Sequence, residues 1–359
     1  MKVIIMKKIC IIGQFPPPVH GLSKALETLL NSRLFNEKYE LTHVDIKDNK
    51  KVAAHMSMIN RQDTDIFYFT ISQSKWGNLR DMLILANLFK KGKKVVIHYH
   101  GGYFRQLYSQ FNPLQRAINK KLLAKVDVMI VLSKSLECLF SGIVDAGKIR
   151  ICENCIEDSQ LLTSWEYESK IFRLMETGKP LEVVYLSNFI KSKGYFDLLM
   201  AAERLRDRDI HFHFAGSFFN REDEEEFLDY IQQNGLQDKV SYHGVVTGER
   251  KKRLLERCDI FALPTYYPNE GQPISIIEAM GNGLAIISTK HAGIPDIVSE
   301  ENGFLIEPQS PEAIAGVIAG LLQDRSGMKQ MADENRSKIL RRYKEADYLK
   351  RLELIMDEV

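Results

Sequence analysis

Residues 259–289 read DIFALPTYYPNEGQPISIIEAMGNGLAIIST. Two short apolar runs, Asp259–Pro264 and Ala285–Thr289, are bounded by turn residues and read as buried strands. Between them, Ile274–Met280 sets Ile274 and Ile277 on one face at helical spacing. Pro273 is the predicted first helical residue, and Gly281 and Gly283 close the helix. The stretch is thus strand, loop, short helix, turn, strand, with an exposed helix N-terminus beside Gly271. Such an end presents backbone N–H groups to an anion, and phosphate is its natural occupant. Glu270 stands before the helix and Glu278 within it, seven residues between them. Two glutamates at that spacing are common and by themselves read as solvated acids. Their place between two buried strands is what singles them out.

The same alternation extends through the chain. Strands are predicted at Lys8–Gly13, Glu40–Ile46, Asp65–Ile71, Lys94–His100, Asp127–Ser133 and Lys148–Cys152. A second series comprises Leu181–Leu186, Ile210–Gly216 and Val240–His243. Helical segments separate them, and 310–323 and 328–342 read as further helices. Repeated β-α units imply doubly wound parallel sheets of α/β class. Residues 156–180 are weakly patterned, with a helix-like run at Ser164–Met175, and read as the connection between two domains. The end, Ala346–Met356, is amphipathic through Leu349, Leu352 and Ile355.

With 359 residues, 45% hydrophobic and 27% charged, the composition is that of a globular protein large enough for two cores. No run of about 18 uncharged apolar residues suggests a transmembrane helix. The start, MKVIIMKKICIIG, lacks a signal-peptide cleavage pattern, because Lys7 and Lys8 interrupt the apolar region. Met6-Lys7-Lys8 is a natural start to the first strand, and residues 1–5 read as an upstream extension. Five cysteines in mostly apolar segments favour a reducing compartment, and Cys152-x-x-Cys155 lacks partners for a metal site. Residues 1–158 hold 24 Lys+Arg against 14 Asp+Glu, while 159–359 hold 25 against 33. Opposite charge in the halves supports two domains with different partners.

After the first strand stands Gln14-Phe15-Pro16-Pro17-Pro18-Val19-His20-Gly21, where a dinucleotide fold would carry Gly-x-Gly-x-x-Gly, so NAD is disfavoured. Gly21 permits close approach of a ligand to backbone. His98 and His100 end a strand at the carboxyl edge where ligands gather, and His100 precedes two glycines. Ser133 ends the next strand and reads equally as a helix N-cap. His211 and His213 lie within a strand and read as packed or solvated rather than metal-bound. Asp63-Thr64-Asp65 and Asp207-Arg208-Asp209 spell Asp-x-Asp but precede strands, so both read as surface turns. Residues 66–126 hold eleven Lys or Arg and one acid, with Trp76, Phe89, Tyr103, Phe104, Tyr108 and Phe111 interleaved. An anionic membrane surface, a solvated basic face and nucleic acid compete as readings, the last without any recognised module.

The Glu270–Glu278 segment resembles the donor-sugar motif of family 4 glycosyltransferases, the retaining enzymes of GT-B fold. Further matching pieces are Tyr185-Leu186-Ser187-Asn188 through Lys193-Gly194, Phe214-Ala215-Gly216, Tyr242 through Val246, Ala292 through Asp296, and Asn302-Gly303. The first half matches loosely, through the proline loop and His100. The resemblance implies two Rossmann-like domains, 1–165 for the acceptor and 178–342 for a nucleotide sugar. Their sheets would face across a cleft, with a last helix, about 343–359, crossing back to the first domain. It implies that Glu278 binds the ribose, Glu270 meets the donor sugar, and amides near Gly271, Gln272, Pro273, Ile274 and Ile276 meet the sugar and diphosphate. Lys193 would neutralise the diphosphate, Val246 would lie beside the base, His100 near the sugar's primary hydroxyl, and Gly21 in the loop approaching donor and acceptor. The family often has Gly-Arg where Ser187-Asn188 stands, so one diphosphate cation is missing at Asn188.

The expected function is retaining, metal-independent hexosyl transfer, UDP-sugars first among donors, to a glycan or lipid-linked glycan in cell-surface polysaccharide biosynthesis. No cofactor, metal or nucleic acid is expected. The expected location is the cytoplasm, with the basic first domain at the inner face of the cytoplasmic membrane. A nucleotide-sugar epimerase of the same fold, and a catalytically weak sugar-nucleotide or membrane scaffold, are the alternatives.

Overall fold

The computed structural model describes residues 6–17, 21–176 and 178–359. The predicted extension at 1–5 and Pro18-Val19-His20 of the proline loop lie outside the described residues. The chain divides into two units. One runs to Asn154 and takes in Ala346–Val359; the other is Cys155–Glu345.

The first unit holds β1 (Lys7–Gly13), β2 (Tyr39–Asp45), β3 (Ile66–Phe69), β4 (Lys94–Tyr99), β5 (Val128–Val131) and β6 (Ile149–Ile151). They form one parallel sheet in the order β2-β1-β3-β4-β5-β6. Its central strands are buried along their length, as helices on both faces of a parallel sheet require. The helix Glu345–Asp357 turns Tyr348, Leu349, Leu352, Ile355 and Met356 inward. Lys38 pairs with Glu353 at 2.7 Å and Asp357 at 2.6 Å, and the Tyr39 hydroxyl donates to Asp357 at 2.9 Å. Part-exposed ion pairs contribute about 0–1 kcal/mol each, whereas each large apolar side chain buried contributes about 1.5–3 kcal/mol. The apolar face is therefore what holds this helix.

The second unit holds β7 (Leu181–Leu186), β8 (Ile210–Ala215), β9 (Val240–Tyr242), β10 (Ile260–Ala262), β11 (Ala285–Thr289) and β12 (Gly303–Ile306). These also form a parallel sheet, in the order β12-β11-β10-β7-β8-β9. The chain lays β8 and β9 to one side of β7, then returns to lay β10, β11 and β12 on the other. The strand order reverses between β7 and β10. Open α/β sheets bind ligands at such a switch point, beyond the carboxyl ends of the strands.

Most predicted strands end a residue or two early. β12 was not foreseen; it is four residues long, three of them only half-buried, and so carries no pattern. The 156–180 segment is not a free connection. Helix Ser164–Met175 opens on a capping box, Thr163 with Glu166, and packs Lys170, Ile171 and Leu174 into the second unit. Residues 155–165, read from sequence as part of the first domain, also belong to this unit. The Asp-x-Asp acids before β3 are engaged locally: Asp63 pairs with Lys8 at 2.7 Å, and Asp65 accepts the Lys8 N–H at 2.9 Å. All five cysteines are free.

Candidate active site

The loop leaving β7 and the loop leaving β10 are laced together at the switch point. Lys191–Lys193 forms a single 3-10 turn that ends on Gly194 at φ 77°. A side chain at 194 would meet the Pro264 carbonyl oxygen at 2.4 Å, so only glycine allows this approach. The Tyr266 N–H donates to the Ser192 carbonyl at 2.8 Å. These constraints put the Lys193 ammonium 2.9 Å from one Glu270 oxygen and 3.3 Å from the other. The ammonium also lies 5.1 Å from the Tyr267 ring centroid. The Thr265 hydroxyl donates to Glu270 at 3.1 Å. Glu270 is 6% exposed, so it is far from a solvated surface acid.

Helix Ile274–Gly281 follows. Pro273 is its N-cap rather than its first helical residue, with ψ 117° still extended. The helix start is less exposed than its sequence suggests: Gly271, Gln272 and Pro273 are buried and Ile274 is half-buried. The Gly293 N–H donates to the Gly271 carbonyl at 2.9 Å, tying the glycine to the loop after β11. The carboxyl end of this eight-residue helix is satisfied by side chains. Asn282 donates to the Glu278 carbonyl at 2.9 Å, Arg336 to the Gly281 carbonyl at 2.9 Å, and Lys170 to the Asn282 carbonyl at 2.8 Å. Such caps hold a helix too short to be stable alone.

Glu278 lies inward on the second turn, and burial pushes its carboxyl above the usual range, opposed by Lys251. The Lys251 ammonium, from helix Gly248–Arg257, sits 2.5 Å from it. Sequence reasoning missed Lys251, which no motif marks. It missed Thr265 and Tyr267 as well, although both lie in the opening stretch.

The remaining predicted residues fall elsewhere. Asn188 is exposed; its carbonyl accepts the Tyr185 hydroxyl at 2.9 Å. Lys191 does not replace the missing arginine, because it is engaged with Glu226 at 2.7 Å and Asp223 at 3.4 Å. Val246 packs into the unit's core at 8% exposure, and the side chain its loop presents to solvent is Val245, at 61%. His100 and Gly21 belong to the first unit. His100 lies one residue beyond β4, its ring 3.9 Å from that of His98. His98 is buried, bonded to the Tyr68 hydroxyl at 2.5 Å, and burial holds its imidazole neutral, well below its usual pKa. Ser133 stands at a 3-10 helix N-cap but makes no capping bond. His213 bonds Glu182 at 2.8 Å and His243 at 2.9 Å, and His211 bonds Ser241 at 2.9 Å, so both are packed polar residues.

Residues 166–338 match the family described as Glycosyl transferases group 1. The chain is 28% identical over 153 residues to WcaL of Escherichia coli (strain K12), which carries the name of a colanic acid biosynthesis glycosyltransferase. That match covers 40% of this chain and 36% of the relative. AmsK of Erwinia amylovora, an amylovoran biosynthesis glycosyltransferase, is 25% identical over 166 residues, 45% of this chain and 40% of its own length. The chain thus spans well under half the length of these relatives. Among solved structures, HepE of Anabaena in complex with UDP has a TM-score of 0.78 at 16% identity. It covers 98% of this chain and 100% of its own. The lipopolysaccharide outer core galactosyltransferase WaaB, in its apo form, has a TM-score of 0.67 at 18% identity, covering 98% and 99%. The fold is that of the GT-B class, two domains each built on a six-stranded parallel sheet.

Proposed function

We propose that the protein transfers a sugar, with retention, from a nucleotide diphosphate to a glycan or lipid-linked glycan in cell-surface polysaccharide biosynthesis. UDP-sugars come first among donors. The observation that carries this is the Lys193–Glu270 pair at the switch point of the second sheet, beside the start of helix Ile274–Gly281. The names of the relatives, and the UDP held by the Anabaena structure, agree with it.

Each group has work in such a reaction. As the bond from sugar to phosphate breaks, negative charge builds on the leaving diphosphate. A preformed ammonium and fixed amides stabilise that charge without reorganising. With no donor bound, Lys193 is neutralised by Glu270; an incoming diphosphate draws the ammonium toward itself and frees Glu270 to hold sugar hydroxyls. Glu278, with its inward carboxyl, takes the ribose, and Lys251 fixes its orientation. His100 and Gly21 keep the roles the family resemblance gives them. The charge is met by Lys193 and amides in this scheme, so turnover is expected to survive chelation.

Incubation with UDP-, GDP- and ADP-sugars tests the reading. Slow release of nucleotide is expected from one class of donor without acceptor, and NMR of the freed sugar should show the donor's anomeric configuration first. Release of an epimerised nucleotide sugar, or an inverted product, would overturn it.

A further inference from the structure

Two neighbouring helices of the first unit carry apolar rows on their outward faces. On helix Lys75–Lys90 the exposed large apolar side chains are Trp76, 79% exposed, Leu79 and Leu83, with Lys75 before them and Lys90 two turns further along. On helix Pro113–Leu123 the exposed large apolar side chains are Leu114 and Ile118, beside Arg116, Lys120 and Lys121 and, just past the helix end, Lys125. The helices are locked side by side by buried amides. Asn78 and Asn119 exchange hydrogen bonds of 2.8 and 3.0 Å, and Gln115 donates to Asn78 at 3.2 Å. With their inner sides thus fixed, both rows lie on the outer surface.

The inner side of helix Lys75–Lys90 is apolar too, with Met82, Ile84, Leu85 and Leu88 in the core. The sheet explains that side. A helix apolar on its outer side as well calls for something other than water against it. The surrounding charge says what. The one acid among residues 66–126, Asp81, is buried against Arg80 at 2.7 Å and is unavailable at the surface. Among the described residues, Lys90, Lys121 and Lys125 pair with no carboxylate. A merely solvated face would not place Trp, Leu and Ile at successive outward positions. Nucleic acid would use the lysines and the tryptophan but has no use for the aliphatic row.

We propose that this two-helix face seats on an anionic bilayer, Trp76, Leu79, Leu83, Leu114 and Ile118 entering the boundary between headgroups and acyl chains. Lys90, Lys121 and Lys125 meet the lipid phosphates. Interfacial helices combine these two elements, a shallow apolar insertion and a basic flank. The proposal rests on the transferase reading only for its purpose, the delivery of a lipid-linked acceptor, and its test does not depend on that reading.

The chain has two tryptophans, so Trp165→Phe leaves Trp76 as the sole reporter. With phosphatidylglycerol-containing vesicles its emission is expected to shift to the blue and to be quenched by brominated acyl chains; pure phosphatidylcholine should do far less. Leu79→Ser/Leu83→Ser should weaken vesicle binding about tenfold or more. Reversing Lys90, Lys121 and Lys125 to Glu should weaken it about 100-fold. Vesicle binding with Trp76 still in water would overturn the insertion. A blue shift that follows protein concentration without lipid would assign the face to a second copy of the chain, and absence of binding would remove the proposal. Donor hydrolysis without vesicles should be unchanged in Leu79→Ser/Leu83→Ser. In the parent protein, absence of vesicle binding with hydrolysis intact therefore condemns this inference alone, and absence of hydrolysis with vesicle binding intact condemns only the transferase reading.

Discussion

Glu270→Ala is expected to lower sugar transfer at least about 100-fold, the usual cost of losing one group preorganised for the transition state, while UDP binding stays intact or tightens. The asymmetry follows from the geometry. Both Glu270 oxygens lie within 3.3 Å of the Lys193 ammonium, which is only 14% exposed. Without the carboxylate, Lys193 is free for the diphosphate and a like charge is removed from its path. The sugar, however, loses the acceptor that orients it. Lys193→Ala should instead reduce both, because a charge-assisted hydrogen bond to the diphosphate, roughly 1.5–3 kcal/mol, is lost in the ground state and the transition state alike. Single-turnover rates and calorimetric UDP affinities separate the two variants. Equal losses of affinity in both would mean that Glu270 binds nucleotide rather than sugar.

Stability should rise with pH above neutrality through Lys170. Its side chain is 1% exposed, and its amine donates to the Leu255 and Asn282 carbonyls, each at 2.8 Å. Burial pulls its pKa down to about 7 from 10.5. Below pH 7 both the folded and unfolded chains hold the proton, and the folded state bears the full cost of a buried charge. Between pH 7 and 10.5 the unfolded chain binds a proton the folded chain has released, so stability climbs with pH. Relative to Lys170→Met, the protein should gain roughly 2–3 kcal/mol between pH 6 and pH 9, read from denaturant titrations. A difference that stays flat across that range would show Lys170 to be charged in the fold. The consequence reaches the site, since the amine holds the carboxyl end of helix Ile274–Gly281.

What could be read in the sequence was local. The β7 and β10 loops announced themselves because strand, turn and helix signals fall within a few residues of Lys193 and Glu270. The strand pattern of both sheets, β12 excepted, was legible for the same reason: strands buried on both faces are continuous apolar runs. Long-range pairings were not legible. Lys251 meets Glu278 from 27 residues away, and only the docked helix Gly248–Arg257 brings it there. Lys170 interrupts the apolar face of helix Ser164–Met175, which disguised a packed helix as a connection, although Thr163-Ser164-Trp165-Glu166 already spelled its capping box. Val246 faces inward because Gly244, at φ 61°, turns the chain after β9, and the sequence does not say which of two adjacent valines that turn exposes.

The central claim is that the switch point of the second sheet is the donor site, and UDP titration by calorimetry tests it most directly. Binding is expected to the parent protein, to fall at least about tenfold in Glu278→Ala as a buried partner of the ribose is removed, to fall likewise in Lys193→Ala, and to be unchanged in Trp165→Phe. UDP affinity indifferent to both Glu278→Ala and Lys193→Ala, in variants that remain folded, would contradict the account.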